Sequence, residues 1–253
     1  MQASVKIMDI DVDMLSNDVF IRKMNDYLTD ERLQVILFAS TELLDRAVEQ
    51  EEYRQMVDRA ELFLPGEEAL LSAHHADVLK AGGMVVSCKS FGLVLENLKK
   101  EDRSMYIVSK SRQDVEVLKG YCKRMQPELK IVGSCSYDSE SDDAAIVNEI
   151  NSHIPDMLLL DLETGTQERW IAEHIDLLNA KLCIAIGGVA GVIMAQEKQI
   201  PRWIEKLHLS HLYQKLIQEQ MVKKDVRARI FRKKVVQYNN QVEENSTKDD
   251  NAE

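Results

Sequence analysis

The sequence lacks the long apolar runs and the paired cysteines that define several common protein classes. No run approaches the roughly 20 apolar residues that span a bilayer, so no transmembrane helix is predicted. The four cysteines are widely spaced and include no C-x-x-C pair; they are Cys88, Cys122, Cys135 and Cys183. A disulfide framework or a zinc site therefore has no support, and we expect reduced, mostly buried thiols.

The N-terminal segment also lacks a targeting signal. Residues 1–13 contain three aspartates and no basic region followed by an apolar one, which predicts a cytoplasmic protein. What the chain does contain fits one globular α/β domain with a buried core, since 45% of its 253 residues are hydrophobic and 30% are charged.

The net charge of −11 is distributed unevenly along the chain. Seven basic residues against Asp225 give residues 221–238 a local charge of +6. An acidic protein with one basic helix does not fit nucleic-acid binding, which requires a broad basic face. The same helix carries an apolar stripe of Val222, Val226 and Ile230, and this pattern favours contact with an anionic membrane surface over a merely solvated helix. The candidate membrane contacts are Lys223, Lys224, Arg227 and Lys234.

Short apolar runs alternate with helical patterns through most of the chain. The predicted strands are Gln34–Phe38, Glu61–Leu64, Met84–Ser87, Met105–Val108, Lys130–Val132, Met157–Leu160 and Leu182–Ile186. Several of these runs are continuous rather than alternating, as expected for strands buried on both faces of a parallel sheet. The alternation predicts an α/β fold with a Rossmann-like parallel sheet, in which ligands bind beyond the carboxyl ends of the strands.

The sequence divides into three predicted parts. Residues 1–200 form the Rossmann-like domain. Residues 201–238 form a C-terminal helical appendage that starts at Pro201, a residue suited to a first helical turn. Residues 239–253 are polar and acidic, which predicts a disordered tail.

Several sequence segments, taken in their order along the chain, resemble those of a known family. Residues 166–174 read TQERWIAEH, residues 184–188 read IAIGG and residues 200–203 read IPRW. Earlier segments with the same character are PELKIVG at 127–133, NEIN at 148–151 and PDMLLL at 155–160. In this order and spacing they resemble the WecG/TagA/CpsF family of cell-envelope glycosyltransferases, over roughly residues 30 to 238.

The resemblance implies a function as well as a fold. Members move an N-acetylhexosamine or related sugar from a UDP donor to a polyprenyl-diphosphate-linked acceptor at the inner face of the cell membrane. The reaction needs a base to deprotonate the acceptor hydroxyl, and cations or dipoles to hold the leaving diphosphate. The expected partners are therefore a UDP-sugar, a lipid-linked glycan acceptor and an anionic membrane, together with a homo-oligomer or an active partner enzyme. No cofactor and no metal are predicted.

Several polar positions of the family pattern are replaced in this chain. Phe38 stands at a family threonine, and Gly66 stands at the aspartate taken as the base. Glu67 and Glu68 follow directly, and we name both as candidate catalytic residues. Gly191 and Gln199 replace an aspartate and an arginine. The lysine of the family "P-K-Q-E" loop is also missing.

The donor-site candidates are Gln167, Glu168, Gly187 and Gly188. By resemblance the Gln-Glu pair lines the donor pocket; alternatively, Glu168 is a helix-start residue that interacts with the positive end of the helix dipole. The Gly-Gly pair either lets backbone amides approach a diphosphate or forms a tight turn.

Other motifs favour structural interpretations. The alternating aspartates Asp9, Asp11 and Asp13 resemble a metal-binding D-x-D motif, but a solvated edge strand is favoured. In Ser109-Lys110-Ser111 we expect Ser111 to cap a helix rather than to bind phosphate. The histidine pairs His74-His75 and His208/His211 lack a third ligand and are expected to be structural or on the surface.

Two functional hypotheses of different class follow. The first is a glycosyltransferase with degraded catalysis. The second is a non-catalytic relative that binds a nucleotide sugar or a partner protein, which the replacements at Phe38, Gly66, Gly191 and Gln199 favour.

Overall fold

The structure is a computed structural model that describes residues 3–67, 69–70, 87–138, 140–194 and 226–242. Glu68, Gln199, Lys223 and Lys224 lie outside these residues, as do the 200–203 segment and both histidine pairs.

Strands and helices alternate along the described chain. The strands are β1 Ala3–Ile7, β2 Ile10–Met14, β3 Gln34–Ala39, β4 Leu62–Pro65, β5 Ser104–Ser109, β6 Lys130–Ser136, β7 Met157–Asp161 and β8 Leu182–Ala185. The helices are α1 Asn17–Tyr27, α2 Thr41–Glu49, α3 Glu51–Asp58, α4 Ser87–Lys100, α5 Arg112–Met125, α6 Asp143–His153, α7 Thr166–His174, α8 Ala190–Met194 and α9, residues 226–242. A short 3₁₀ turn, Ile175–Leu177, follows α7.

Six of these strands form one parallel sheet in the order β4-β3-β8-β7-β5-β6. Strands β3, β4, β7 and β8 are buried almost throughout, because helices cover both faces. The predicted α/β fold with a Rossmann-like sheet is confirmed. The strand order reverses between β5 and β7, since β5 leads outward to β6 while β7 leads the other way to β8.

Two apolar cores lie on opposite faces of the sheet. On one face, Leu44 of α2, Trp170 of α7 and Phe231 of α9 belong to the same buried cluster. On the other face, Phe20 of α1 and Phe91 of α4 pack with residues of α5 and α8. Alternate residues of each strand supply the two cores, so neighbours along a strand point to opposite faces.

Six predicted strands coincide with observed ones to within a few residues at each end. The seventh, Met84–Ser87, lies outside the described residues except for Ser87, which belongs to helix α4. The cysteine prediction is confirmed for Cys122 and Cys183, which are free and buried; Cys135 is half-buried.

The alternating aspartates do not share one strand face. Asp9 lies in the turn between β1 and β2 with φ of 65°, and its carboxylate pairs with Lys6 at 3.1 Å and Arg54 at 3.0 Å. Asp13, on β2, accepts a hydrogen bond of 3.0 Å from the backbone N–H of Phe63 in β4. The contacts of Asp9 with Arg54 and of Asp13 with Phe63 thus hold the β1–β2 hairpin against the rest of the domain. Within the described ranges, no three His, Cys, Asp or Glu side chains are placed to hold a metal ion.

Helix α9 is the described part of the predicted appendage. It continues to residue 242, four residues beyond the predicted boundary at 238, because composition does not locate the last turns of a helix. Phe231 and Val235 pack into the core, whereas Val226 and Ile230 are more than half exposed. Among the described helices, none is both long and apolar enough to cross a membrane.

Candidate functional site

Polar loops gather where the parallel strands end. Because parallel strands share a direction, the residues after β3, β4, β7 and β8 meet at one edge of the sheet. These loops carry Ser40 and Thr41, then Gly66 and Glu67, then Thr164 to Glu168, and finally Gly187 and Gly188. The same edge therefore holds both the donor-site candidates and Glu67.

Gln167 and Glu168 are buried at the start of α7 and bind the glycine turns around them. The Oε1 atom of Gln167 accepts a hydrogen bond of 2.8 Å from the backbone N–H of Gly187. The Nε2 group of Gln167 donates to Glu168 at 3.1 Å, and the backbone N–H of Gly165 donates to the other oxygen of Glu168 at 2.5 Å. One side-chain pair thus fixes the loops after β7 and β8 against each other.

The glycines of this network cannot carry side chains. A Cβ atom on Gly187 would lie 2.1 Å from the carbonyl oxygen of Leu162. Gly165 and Gly188 have φ of 97° and 79°, values that L-residues rarely adopt. The Gly-Gly pair is therefore a tight turn, as one alternative predicted, and Gln167 already accepts the amide hydrogen of Gly187.

Gly188 faces two hydroxyl groups from neighbouring loops. The position of a Cβ atom on Gly188 lies 2.8 Å from Oγ1 of Thr164 and 3.4 Å from Oγ of Ser40. Ser40 also caps α2, accepting a 3.0 Å hydrogen bond from the backbone N–H of Leu43. The Gly188 backbone, the Thr164 and Ser40 hydroxyls and the N-terminus of α2 thus form a closely packed polar cluster, at a helix end whose dipole favours an anion.

Burial shifts the pKa of Glu168 above its usual value. Desolvation is the main cause, and it is opposed by the hydrogen bonds from Gly165 and Gln167 and by the charge of Arg46. Arg46 projects from α2 and is held by the Tyr53 hydroxyl at 3.1 Å and by Glu42 at 2.9 Å. This guanidinium provides a positive charge near the loop whose family lysine is missing.

The remaining residues of α7 are structural. Trp170 is 1% exposed and donates from its indole N–H to Asp143 at 3.0 Å. The His174 ring stacks on Trp170 at 4.8 Å. Trp170 is therefore part of the core, and His174 packs against it within the same helix.

The family base position is sterically closed. A Cβ atom on Gly66 would lie 2.4 Å from the carbonyl oxygen of Ala39 and 2.8 Å from a methyl group of Val189. Phe38 is 1% exposed and packs edge-on against Phe20 at 6.3 Å, within the core on the α1 face. The loops after β3, β4 and β8 therefore pack closely where the resemblance would place an aspartate.

Glu67 lies beside this closed position and is itself buried. Its relative exposure is 3%, and the Thr41 hydroxyl donates to its Oε2 atom at 3.4 Å. Thr41 is the first residue of α2, so Glu67 lies close to the positive end of that helix.

Sequence reasoning missed a third buried carboxylate at this edge, Asp161. It is the last residue of β7, pairs in register with Ser109 of β5, and accepts a 2.8 Å hydrogen bond from the Ser109 hydroxyl. Burial raises the pKa of Asp161 to about 6. A charged residue directly after the apolar run Met157–Leu160 is a signal that could have identified it. Ser111 caps α5 as predicted, with the N–H of Asp114 donating to its hydroxyl at 3.1 Å.

Two of the candidate membrane contacts pair within the protein. Lys234 of α9 lies 2.7 Å from Asp45 and 3.2 Å from Glu49, both on α2. These hydrogen bonds, the one to Asp45 foremost, raise the pKa of Lys234. Arg227 lies 3.4 Å from Glu42. Three further basic residues of α9 are exposed and make no such pair with α2: Arg229, Arg232 and Lys233.

Comparison with known proteins identifies the family of the chain. The model of the family described as glycosyl transferase WecG/TagA/CpsF matches residues 5–230. Curated relatives include the N-acetylglucosaminyldiphosphoundecaprenol N-acetyl-beta-D-mannosaminyltransferases of Staphylococcus aureus strains NCTC 8325 / PS 47 and COL, each 18% identical over 217 residues and covering 85% of both chains. The protein of strain MW2 is 17% identical over the same length. Because the family model spans most of the sequence, this chain belongs to the WecG/TagA/CpsF family of glycosyltransferases.

Proposed function

We propose that this protein transfers an N-acetylhexosamine-type sugar from a UDP donor to a polyprenyl-diphosphate-linked glycan acceptor in cell-envelope polysaccharide synthesis. The observation that carries the proposal is the Gly187-Gly188 turn, which Gln167 holds in a fixed position at the edge of the sheet. Family membership supports a glycosyl transfer. The names of the S. aureus relatives supply the class of acceptor, a diphosphoundecaprenol-linked N-acetylglucosamine.

The polar cluster around Gly188 is the proposed contact of the donor diphosphate. The hydroxyls of Ser40 and Thr164 and the N-terminus of α2 supply hydrogen-bond donors and a favourable dipole for the leaving group. Gln167 and Glu168 have the supporting role of fixing the turns that carry this cluster. Such preorganised donors stabilise a departing diphosphate without a metal ion.

Proton transfer also requires a base. The candidates from the sequence are Glu67 and Glu68, and Glu67 lies within the described edge, hydrogen-bonded to Thr41. Replacement of Glu67 by Gln keeps the shape and removes the charge. If Glu67 accepts the proton, this substitution lowers kcat by about a hundredfold or more.

Degraded catalysis is part of the proposal, and one observation favours the alternative of a non-catalytic scaffold. The closed position at Gly66 leaves no room for the family base. A chain that lost turnover would retain the glycine turns for nucleotide-sugar binding or for contact with a partner protein, including a second copy of itself.

Titration calorimetry with UDP and UDP-N-acetylmannosamine, followed by turnover with a short-chain polyprenyl-diphosphate N-acetylglucosamine, tests the proposal. Saturable binding with slow product formation supports a transferase. Binding without product in the presence of excess enzyme supports the scaffold, and absence of binding at millimolar nucleotide contradicts both donor-site interpretations.

Helix α9 is the proposed membrane contact. Its exposed face combines Val226 and Ile230 with Arg229 and Lys233, a combination suited to an anionic bilayer surface. Substitution of Arg229 and Lys233 by Gln should weaken co-sedimentation with anionic vesicles more than the same change at Arg227 and Lys234, which pair with α2. Equal effects of the two double variants would contradict this orientation.

A further inference from the structure

Asp161 is a buried carboxylate at the centre of the sheet edge. It ends β7, where the strand order reverses, and this is the position at which ligands of doubly wound sheets bind. Strand β7 is separated from β3 by β8 alone, so Asp161 and the loop after β3 are roughly 10 Å apart across the sheet. This distance matches the size of a bound sugar with its phosphate.

Among the described residues, one oxygen of Asp161 accepts a side-chain hydrogen bond and the other accepts none. The Ser109 hydroxyl donates to Oδ2 at 2.8 Å. No group in the described part of the chain donates to Oδ1. Asp161 is 5% exposed, so a charged form without a paired cation is costly for the fold. Buried carboxylates of this kind occur preferentially at functional sites.

The charges that face Asp161 come from the neighbouring strand and helix. Lys110, directly after β5, lowers the pKa of this carboxyl group, as does the Ser109 hydrogen bond. Asp114 of α5 raises it, and burial raises it most, to about 6. At neutral pH most of the carboxylate is ionised and yet more basic than an exposed aspartate, which suits proton abstraction.

Two other buried carboxylates at this edge already accept hydrogen bonds. Glu67 already accepts the hydroxyl of Thr41 at the start of α2. Glu168 accepts hydrogen bonds on both oxygens.

We propose that Asp161 is the proton acceptor of the glycosyl transfer, a role that rests on the proposed function. In the step, the acceptor hydroxyl oxygen bonds to the anomeric carbon while the bond from that carbon to the UDP oxygen breaks. The hydroxyl proton passes to Oδ1 of Asp161, and UDP leaves with the electron pair. Asp161 then releases the proton to solvent, and Ser109 keeps the carboxylate oriented throughout.

The test compares Asp161→Asn with Ser109→Ala and with the exposed control Asp176→Asn, in the full chain. Turnover is measured from pH 5 to 9 with UDP-N-acetylmannosamine and a short-chain polyprenyl-diphosphate N-acetylglucosamine; UDP binding is measured by calorimetry. We expect Asp161→Asn to lower kcat by about a hundredfold or more with UDP affinity within about threefold. Asp176→Asn should leave both unchanged.

Ser109→Ala gives an independent measurement, because it removes a hydrogen bond that favours the charged carboxylate. The acidic limb of its kcat profile should therefore move upward by about one pH unit. A purely structural role for Ser109 would lower activity without moving this limb.

The outcomes separate this inference from the proposed function. If the wild type turns over and Asp161→Asn does so equally well, the inference is overturned and the transferase remains. The same holds if Glu67→Gln alone abolishes turnover. A wild type that binds UDP but forms no product overturns both.

Discussion

The two halves of the sheet edge differ in what they have kept. On the β7–β8 side, Gln167 and Glu168 form an unbroken set of hydrogen bonds to Gly165 and Gly187. On the β3–β4 side, Phe38 is buried in the core and Gly66 is in close contact with the neighbouring loops. The first half keeps the polar groups that shape the backbone. The second has lost the groups that the family resemblance associates with chemistry.

The difference shows that polar residues needed for stability and polar residues needed for catalysis can be lost independently. A buried polar network that loses one member leaves unsatisfied groups, which destabilise the fold. Loss of a catalytic carboxylate has no such penalty and often stabilises a protein. The network can therefore persist for structural reasons alone, and its presence does not by itself demonstrate catalysis.

Restoring the family aspartate gives the largest expected effect. Gly66→Asp places a Cβ atom within 2.4 Å of a backbone oxygen, so we expect a loss of more than about 3 kcal/mol in unfolding free energy and no gain in turnover. Chemical denaturation measures this change. The control is Gly92→Ala in α4, where the nearest atom to a Cβ is the Met125 methyl at 3.4 Å. A stable and more active Gly66→Asp variant would contradict the claim that the β3–β4 side has no room for the family aspartate.

Breaking the intact half should cost nearly as much. Gln167→Leu leaves the amide of Gly187 and one oxygen of Glu168 without their observed partners, and we expect a loss of about 3 kcal/mol. Urea denaturation should show this loss, whereas Arg169→Ala, an exposed change on the same helix, should have little effect. If Gln167→Leu unfolds at the wild-type midpoint, the network does not stabilise the fold.

Replacement of the buried Asp161 should stabilise the fold, in contrast to the two substitutions above, and the gain should depend on pH. Because the folded pKa of about 6 exceeds the ordinary value of 3.8, the fold binds the proton more tightly than the unfolded chain. Stability is therefore lost as the pH rises from about 4 to above 6. Asp161→Asn should be more stable than wild type by about 3 kcal/mol at pH 8, with the difference becoming small near pH 4. An equal difference at both pH values would show that Asp161 has an ordinary pKa.

The contact between α9 and α2 predicts the smallest effect. Lys234→Gln removes ion pairs to Asp45 and Glu49, and the side chain of Lys234 is 39% exposed. We expect a loss below about 1 kcal/mol, shrinking further in 1 M salt. The neighbouring exposed Lys233→Gln is the matched control. A salt-independent loss would mean that Lys234 stabilises the fold through packing of its aliphatic chain.

Much of the fold was predictable because short apolar runs alternate with helical patterns along the chain, which is typical of a parallel α/β sheet. The six predicted strands that lie wholly within the described residues coincide with observed strands, and Ser111 was correctly expected to cap a helix.

The candidate site was predictable only in part. The family resemblance identified Gln167 and Gly187 as candidates. It did not predict that the backbone N–H of Gly187 donates a hydrogen bond to Gln167. Asp161 was missed because its importance depends on Ser109, which is 52 residues away in sequence and adjacent in the sheet.

The sequence by itself determined the class of fold, the family and the loss of the family aspartate at Gly66, because hydrophobic periodicity and residue identity are local properties of the chain. The tertiary structure alone decided that no side chain fits at Gly66, that Arg227 and Lys234 pair with α2, and that Asp161 is buried. Those properties arise from distances between segments far apart in sequence. Desolvation and hydrogen bonding take effect only when the strands have brought these segments together.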